Sequence, residues 1–399
     1  MIDWLTRVDP QHPFLREADR VYTYGESLRE VDRRIRREPT VVRPSLDASS
    51  VFDCLAAMCG GGGVFVGPGV EASAAEDLQG AAAVLFTSGS SGAPKGARLT
   101  LMNLETASRA SAEHLGHGSD DVWLLAMGLH HVAGLSIVVR SAYIGGSIRV
   151  VSRFTPATAV EAIRADVTMV SVAPTMLQQL LDHDSGPYEG LRAVLVGGGP
   201  IPNGLLERAV DAGLPVLPTY GMTETFGQVA TLKPGGPVAY ATHPLPGVEL
   251  RTDVAGRIAV RSGQVSPGYI GEPDRESDWF TTGDLGEIRS DGTLRVLGRA
   301  DTVIVTGGEN VDPERVENEI RALGIPEVVV VGLPDKVWGS LLVAVYTKGS
   351  PTTVEPLLSE RLPRFMIPSR WVQVSGIPTT ELGKPDRSAA VRLAGGDDR

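Results

Sequence analysis

Cysteine is nearly absent: the chain has two in 399 residues, Cys54 and Cys59, both in one apolar stretch. That excludes a disulfide framework and a cysteine-built zinc site, and it reads the pair as buried free thiols. Positive charge is also short, with 37 Lys and Arg against 48 Asp and Glu for a net charge of -11. No general polyanion-binding surface follows, so nucleic acid is not an expected partner and any phosphate must be held locally. No apolar run approaches the length of a membrane span, and residues 1–11, with Asp3, Arg7 and Asp9 among apolar neighbours, offer no leader-like core. The expectation is a cytoplasmic protein with no membrane partner. No solenoid-like repeat is visible.

What is present is a globular composition, 42% hydrophobic, with 47 Gly and 28 Pro scattered between apolar runs rather than gathered into a linker. At this length two domains are expected rather than one. Residues 1–50 are rich in Arg and Glu, including the charged helix-like run 26–37, and read as solvated surface. From residue 51 onward helix-like and strand-like segments alternate. Helical patterns at 51–58, 134–142, 156–164, 175–182 and 203–212 interleave with strand-like runs at 64–66, 122–126, 147–151, 168–172 and 192–196. That alternation predicts a mostly parallel, doubly wound sheet. Beyond residue 237 the pattern changes to short alternating strands such as 257–261, and from residue 301 to a compact α+β unit. There Asp312 caps a helix that has Pro313 at its first position.

Residues 85–100 are the most informative stretch. A short apolar run, 81–86, feeds Thr87-Ser88-Gly89-Ser90-Ser91-Gly92-Ala93-Pro94-Lys95-Gly96. Four hydroxyls, two glycines whose backbone N–H groups can turn inward, and a lysine suit a polyphosphate. The P-loop pattern does not fit, because Pro94 precedes the lysine and Gly96 follows it. Thr100 is placed to cap a helix, which puts that helix start just beyond the anion.

Further along, 194–196 runs into Gly197-Gly198-Gly199, where exposed backbone could meet a flat base at the carboxyl end of a strand. In Thr219-Tyr220-Gly221-Met222-Thr223-Glu224, Tyr220 offers an aromatic face, Thr223 a hydroxyl for phosphate and Glu224 a hard oxygen for Mg2+. Asp284 in Thr282-Gly283-Asp284 is a carboxylate that can accept from two ribose hydroxyls together. His131 follows the strand at 122–126, next to His130.

The order Thr-Ser-Gly-Ser-Ser-Gly-x-Pro-Lys-Gly, followed by Tyr220 to Glu224, Thr282-Gly283-Asp284, Gly298-Arg299-Ala300-Asp301 and Pro378 to Lys384, resembles the adenylate-forming superfamily. Its members are acyl-CoA synthetases, luciferases and the adenylation domains of peptide synthetases. The resemblance implies a large N-terminal domain, here 1–300, and a small C-terminal lid, 301–399. It implies ATP, Mg2+ and CoA as cofactors, and a small carboxylic acid as substrate that becomes an acyl-adenylate and is then captured by CoA or a carrier-protein thiol. By the same resemblance Lys384 contacts the acyl phosphate, Arg299 meets the nucleotide, Asp301 is the hinge, and Gly307-Gly308 lies on the lid loop that exchanges with Lys384. His131 falls where the superfamily carries an aromatic or histidine facing the acyl pocket, with His130 where an aromatic is common and Ala133 where glycine is common.

Fuller members carry more chain ahead of the phosphate loop, so a reduced N-terminal subdomain is expected. Gly134 to Ser141, Val196 to Pro200 and Tyr220 to Val229 resemble the o-succinylbenzoate-CoA ligases of menaquinone biosynthesis. Those enzymes must bind a second carboxylate, to which no residue is assigned; Arg140, nine residues beyond His131, is read as packing or surface. A homodimer is compatible with the resemblance.

Overall fold

The computed structural model describes residues 1–67, 78–87, 94–184, 186–202, 204–236, 242–300, 302–379 and 385–395. The chain forms two compact units, Met1–Thr282 with Glu287–Arg295, and Gly283–Gly286 with Val296–Arg399.

The first unit is built on a nine-stranded sheet. Its strands run in the order His243–Pro244, Gly227–Thr231, Val216–Met222, Ala193–Val196, Met169–Val172, Val122–Leu125, Ser147–Val150, Pro13–Glu17 and Arg20–Thr23. Pairing is parallel from Pro13–Glu17 through to Val216–Met222 and antiparallel at both edges. Successive side chains of a strand point to opposite faces, and the burial follows that rule. Trp123 and Leu125 join the core under helices Leu101–Leu115 and Val132–Ile144. Val122 and Leu124 join the core under Pro156–Ala165, Pro174–His183 and Leu205–Asp211. Helices on both faces are why these strands read as continuous apolar runs.

A second, five-stranded sheet runs Gly268–Tyr269, Lys95–Leu99, Ala83–Thr87, Gly63–Phe65 and Thr40–Val42. Helix Ala48–Cys59, with its Cys54 thiol buried, packs beside it. In the second unit helix Pro313–Ala322, capped by Asp312, packs on the sheet of Val328–Asp335, Gly339–Tyr346 and Arg370–Gln373. Glu317, on the buried face of that helix, accepts from the Val330 N–H at 2.8 Å and from Arg387 at 2.5 Å.

Two expectations are corrected. Residues 1–50 are not a solvated surface: Phe14, Leu15, Tyr24 and Val31 are fully buried in the main core. Charge density hid them because the strand Pro13–Glu17 shows no period-2 pattern: its buried residues, Phe14 and Leu15, are adjacent and lead straight into Arg16 and Glu17. Second, the helix start at Thr100 is not beside the phosphate loop. The chain returns first as the strand Lys95–Leu99, antiparallel to Ala83–Thr87 with Thr87 opposite Lys95. Helix Leu101–Leu115 therefore begins at the far end of a five-residue strand, about 17 Å away.

Candidate active site

The hairpin of Ala83–Thr87 and Lys95–Leu99 brings two of the loop's expected ligands together at its open end. Thr87 donates from Oγ1 to the Lys95 carbonyl oxygen at 3.4 Å, and the Lys95 ammonium lies 3.3 Å from Glu272. Ser88, Gly89, Ser90, Ser91 and Gly92 lie outside the described residues, as do Asp301 and Lys384.

The glycine shoulder and the Tyr220 strand are neighbours. Val196 pairs with Pro218, so Gly197 abuts Thr219, where a Cβ on Gly197 would sit 2.7 Å from the Thr219 methyl. Gly198 and Gly199 face open space and are exposed, the first with φ +78. Backbone is therefore accessible to a planar group beside Tyr220. Tyr220 itself packs, half-buried, against the cluster of Val229, Ala230 and Leu245.

The turn that follows is tightly determined. Thr223–Thr225 is a single 3-10 turn ending on Phe226, whose φ of +49 is unusual for a bulky residue and whose side chain is buried. Thr225 donates from Oγ1 to the carbonyls of Met222 and Gly227 at 3.1 and 2.8 Å. Glu224 accepts at Oε1 from the Tyr269 hydroxyl at 2.8 Å. Burial, then the neighbouring Glu224, pushes that hydroxyl far above the usual tyrosine range, so it stays protonated and is the donor. Tyr269 was not anticipated from the sequence; its signal is indirect, an aromatic after Pro267-Gly268 that pairs with the strand carrying Lys95.

His131 stands at the N-cap of helix Val132–Ile144, where its side chain makes no capping bond, and is exposed, while His130 beside it is half-buried, the ring centroids 4.1 Å apart. A Cβ on Gly67 or on Gly128 would lie 2.6 Å from the His130 ring, so this ring is clamped between two glycines. Burial and then His131 lower its pKa to about 4, which keeps it neutral. Arg140, on the same helix, is fully buried with its guanidinium 4.9 Å from the Trp123 ring centroid. Burial alone lowers its pKa to about 9, and its Nε has no hydrogen-bond partner among the described residues.

In the second unit Asp284 and Arg299 form an ion pair at 3.5 Å, closed by the Ala300 N–H donating to the Gly283 carbonyl at 2.8 Å. Gly307 and Gly308 are the two-residue turn of the hairpin Ile304–Thr306 and Glu309–Val311, both with positive φ as such turns require. Trp338 lies on Gly307, whose N–H donates to the Trp338 carbonyl at 2.8 Å.

Among the described residues no group of three or more His, Cys, Asp or Glu could hold a metal by itself. Glu224 would suit an ion of another kind, Mg2+, which proteins bind through one or two carboxylates together with substrate phosphates. No helix among the described residues is long and apolar enough to cross a membrane.

Residues 64–270 match the family described as AMP-binding enzyme, and residues 317–384 the AMP-binding enzyme C-terminal domain. A 2-succinylbenzoate–CoA ligase of Bacillus thuringiensis subsp. konkukian (strain 97-27) is 35% identical over 341 residues, 79% of this chain and 71% of that protein. One from Geobacillus kaustophilus (strain HTA426) is 36% identical over 360 residues, 83% and 74% of the two chains. The solved structure of o-succinylbenzoate CoA synthetase (MenE) from Bacillus subtilis with the acyl-adenylate intermediate OSB-AMP has a TM-score of 0.88 at 25% identity, covering 99% of this chain and 98% of that one. The same enzyme with ATP and magnesium ion gives 0.85 at 26%, covering 96% and 98%.

Proposed function

Because the chain belongs to the AMP-binding enzyme family, with relatives above 30% identity over most of their length, we propose that it is an o-succinylbenzoate-CoA ligase. The observation that carries the reading in the structure is the glycine shoulder Gly197 to Gly199 lying beside the strand and turn that present Tyr220, Thr223 and Glu224. A planar base, a ribose and a phosphate chain need such a sequence of flat backbone, aromatic face, hydroxyl and carboxylate.

The reaction has two halves. A carboxylate oxygen of the acid attacks the α-phosphorus of ATP, the bond to the β-phosphate oxygen breaks, and acyl-adenylate and pyrophosphate form. The thiolate of CoA then attacks the acyl carbon and AMP leaves, giving the thioester. Negative charge builds on the α-phosphate in the first half, and the chain's task there is electrostatic. In this reading Thr223 donates to phosphate, and Lys95 with the loop donors at 87–92 holds the outer phosphates. Lys384 meets the oxygen between acyl and phosphoryl groups, and Glu224 holds the Mg2+. That ion, when bound, neutralises phosphate charge. Asp284, paired with Arg299, accepts from the ribose. His131, at the exposed start of its helix, faces the acyl group. Dependence on ATP and CoA points to the cytoplasm, and a homodimer is testable by light scattering.

Purified protein given ATP, Mg2+, o-succinylbenzoate and CoA should release AMP, pyrophosphate and the acyl-CoA in equal amounts. ADP and phosphate as stoichiometric products would overturn the chemistry; AMP formation with other aryl acids only would overturn the substrate.

A further inference from the structure

Residues 264–269 are tied to the turn that carries Glu224 at three levels. Gln264, fully buried, donates from Nε2 to the carbonyls of Thr225 at 3.0 Å and Gln228 at 2.6 Å. The Ser266 N–H donates to the Glu224 carbonyl at 2.7 Å. The Tyr269 hydroxyl then reaches the Glu224 carboxylate itself at 2.8 Å.

Tyr269 is in turn held on a rigid support. It pairs with Ala97, and Gly268 pairs with Arg98. Arg98 is buried and bonds Asp274 at 2.6 Å, fastening the far side of the same short strand. Lys95 lies on the strand opposite, its ammonium 5.0 Å from the centroid of the Tyr269 ring. One phenol therefore touches both the carboxylate and the ammonium that serve the triphosphate in the reading above.

We propose that Tyr269 is a positioning residue for magnesium-ATP: its hydroxyl fixes Oε1 of Glu224 so that the carboxylate presents its other oxygen in one orientation. The terminal torsion of a glutamate is broad, so an unrestrained carboxylate would sample many orientations. Hydrogen bonds to a metal-ligating carboxylate commonly matter 10- to 100-fold for affinity or activity. The proposal rests on the reading of Glu224 as the carboxylate that holds Mg2+.

Tyr269→Phe keeps the ring, its packing and its contact with the Lys95 ammonium, and removes one hydrogen bond. Binding of ATP is measured by calorimetry without the acid, once with Mg2+ and once with EDTA, so that no turnover intervenes. The gain in ATP affinity conferred by Mg2+ should fall roughly 10- to 100-fold in the variant, while affinity in EDTA, the KM for the acid and the unfolding midpoint stay at wild-type values. In a Glu224→Gln background the same change should add less than about twofold, because the two side chains act through one bond. A full magnesium gain in Tyr269→Phe, or losses that multiply in the double variant, overturns the proposal. An unchanged gain in Glu224→Gln alone overturns the reading of Glu224 and the proposal with it, and is thereby distinguished.

Discussion

Gly221 lies so close to Gly227 that a Cβ on the former would come within 2.0 Å of the latter's carbonyl oxygen. The strand pairing shifts register between Tyr220 and Gly221, so the close approach is part of how the hairpin turns. Gly221→Ala must push the two strands apart and tilt the Thr223–Thr225 turn. The expected cost is about 1–3 kcal/mol of stability, and about 10²-fold in kcat/KM from misplaced groups. Thermal unfolding and steady-state kinetics check both; wild-type values in both would show that the strands separate freely.

The Asp284 carboxylate, 3.5 Å from the Arg299 guanidinium, is expected to discriminate among riboses. A hydrogen bond to a charged group contributes about 1.5–3 kcal/mol, so wild-type enzyme should prefer ATP over 2′- or 3′-deoxyATP by roughly 10- to 100-fold in kcat/KM. Asp284→Asn should lower the rate with ATP and remove most of that preference. A preference that survives unchanged would assign the ribose to another group.

Arg140 presents a conflict between stability and charge. A cation buried with no ion-pair partner among the described residues is costly to hold, and places where a chain breaks a local rule are commonly functional. Its proposed substrate brings a second carboxylate. Arg140→Met, close in volume, should raise the unfolding midpoint by a few degrees and raise the KM for o-succinylbenzoate at least tenfold, with the KM for ATP unchanged. Greater stability with an unchanged acid KM would leave Arg140 as packing against Trp123 alone.

His117 is buried with neither ring nitrogen hydrogen-bonded among the described residues, and burial, then Arg140, lowers its pKa to about 3 from 6.5. Below pH 6.5 the unfolded chain binds a proton there that the folded chain refuses, so stability falls as the pH drops from 6.5 toward 3. The loss approaches about 1.4 kcal/mol per pH unit. His117→Phe should flatten that slope between pH 6.5 and 5, where carboxylates still contribute little; equal slopes would mean that His117 takes up its proton without unfolding.

The elements that positioned the site were legible where a long apolar run or a cap announced them. Val194 to Val196 and helix Pro313–Ala322 stand where their patterns put them. What escaped was non-local. Tyr269 acts on Glu224 across 45 residues of sequence, and nothing near Tyr269 encodes that partner. The strand after the phosphate loop escaped because five residues, Lys95–Leu99, contain one glycine, one alanine and a buried Arg98 where a polar, outward residue would be read. Arg98 breaks the apolar–polar alternation because Asp274 pairs with it.

The N-terminal strand bears on how the protein is born. Leu15 pairs with Ile148, and the Tyr24 hydroxyl donates to the Ser141 and Gly146 carbonyls at 3.1 and 2.7 Å, 117 and 122 residues away. During synthesis the strand Pro13–Glu17 can pair at once with Arg20–Thr23, but it lacks its parallel neighbour, and Tyr24 its two acceptors, until residues 141–150 have followed. At about 5–20 residues per second that wait lasts on the order of ten seconds. Phe14, Leu15 and Tyr24, all destined for full burial, spend it covered only by near neighbours such as the Phe14–Tyr24 ring pair, which makes this stretch a natural client for a chaperone on the nascent chain.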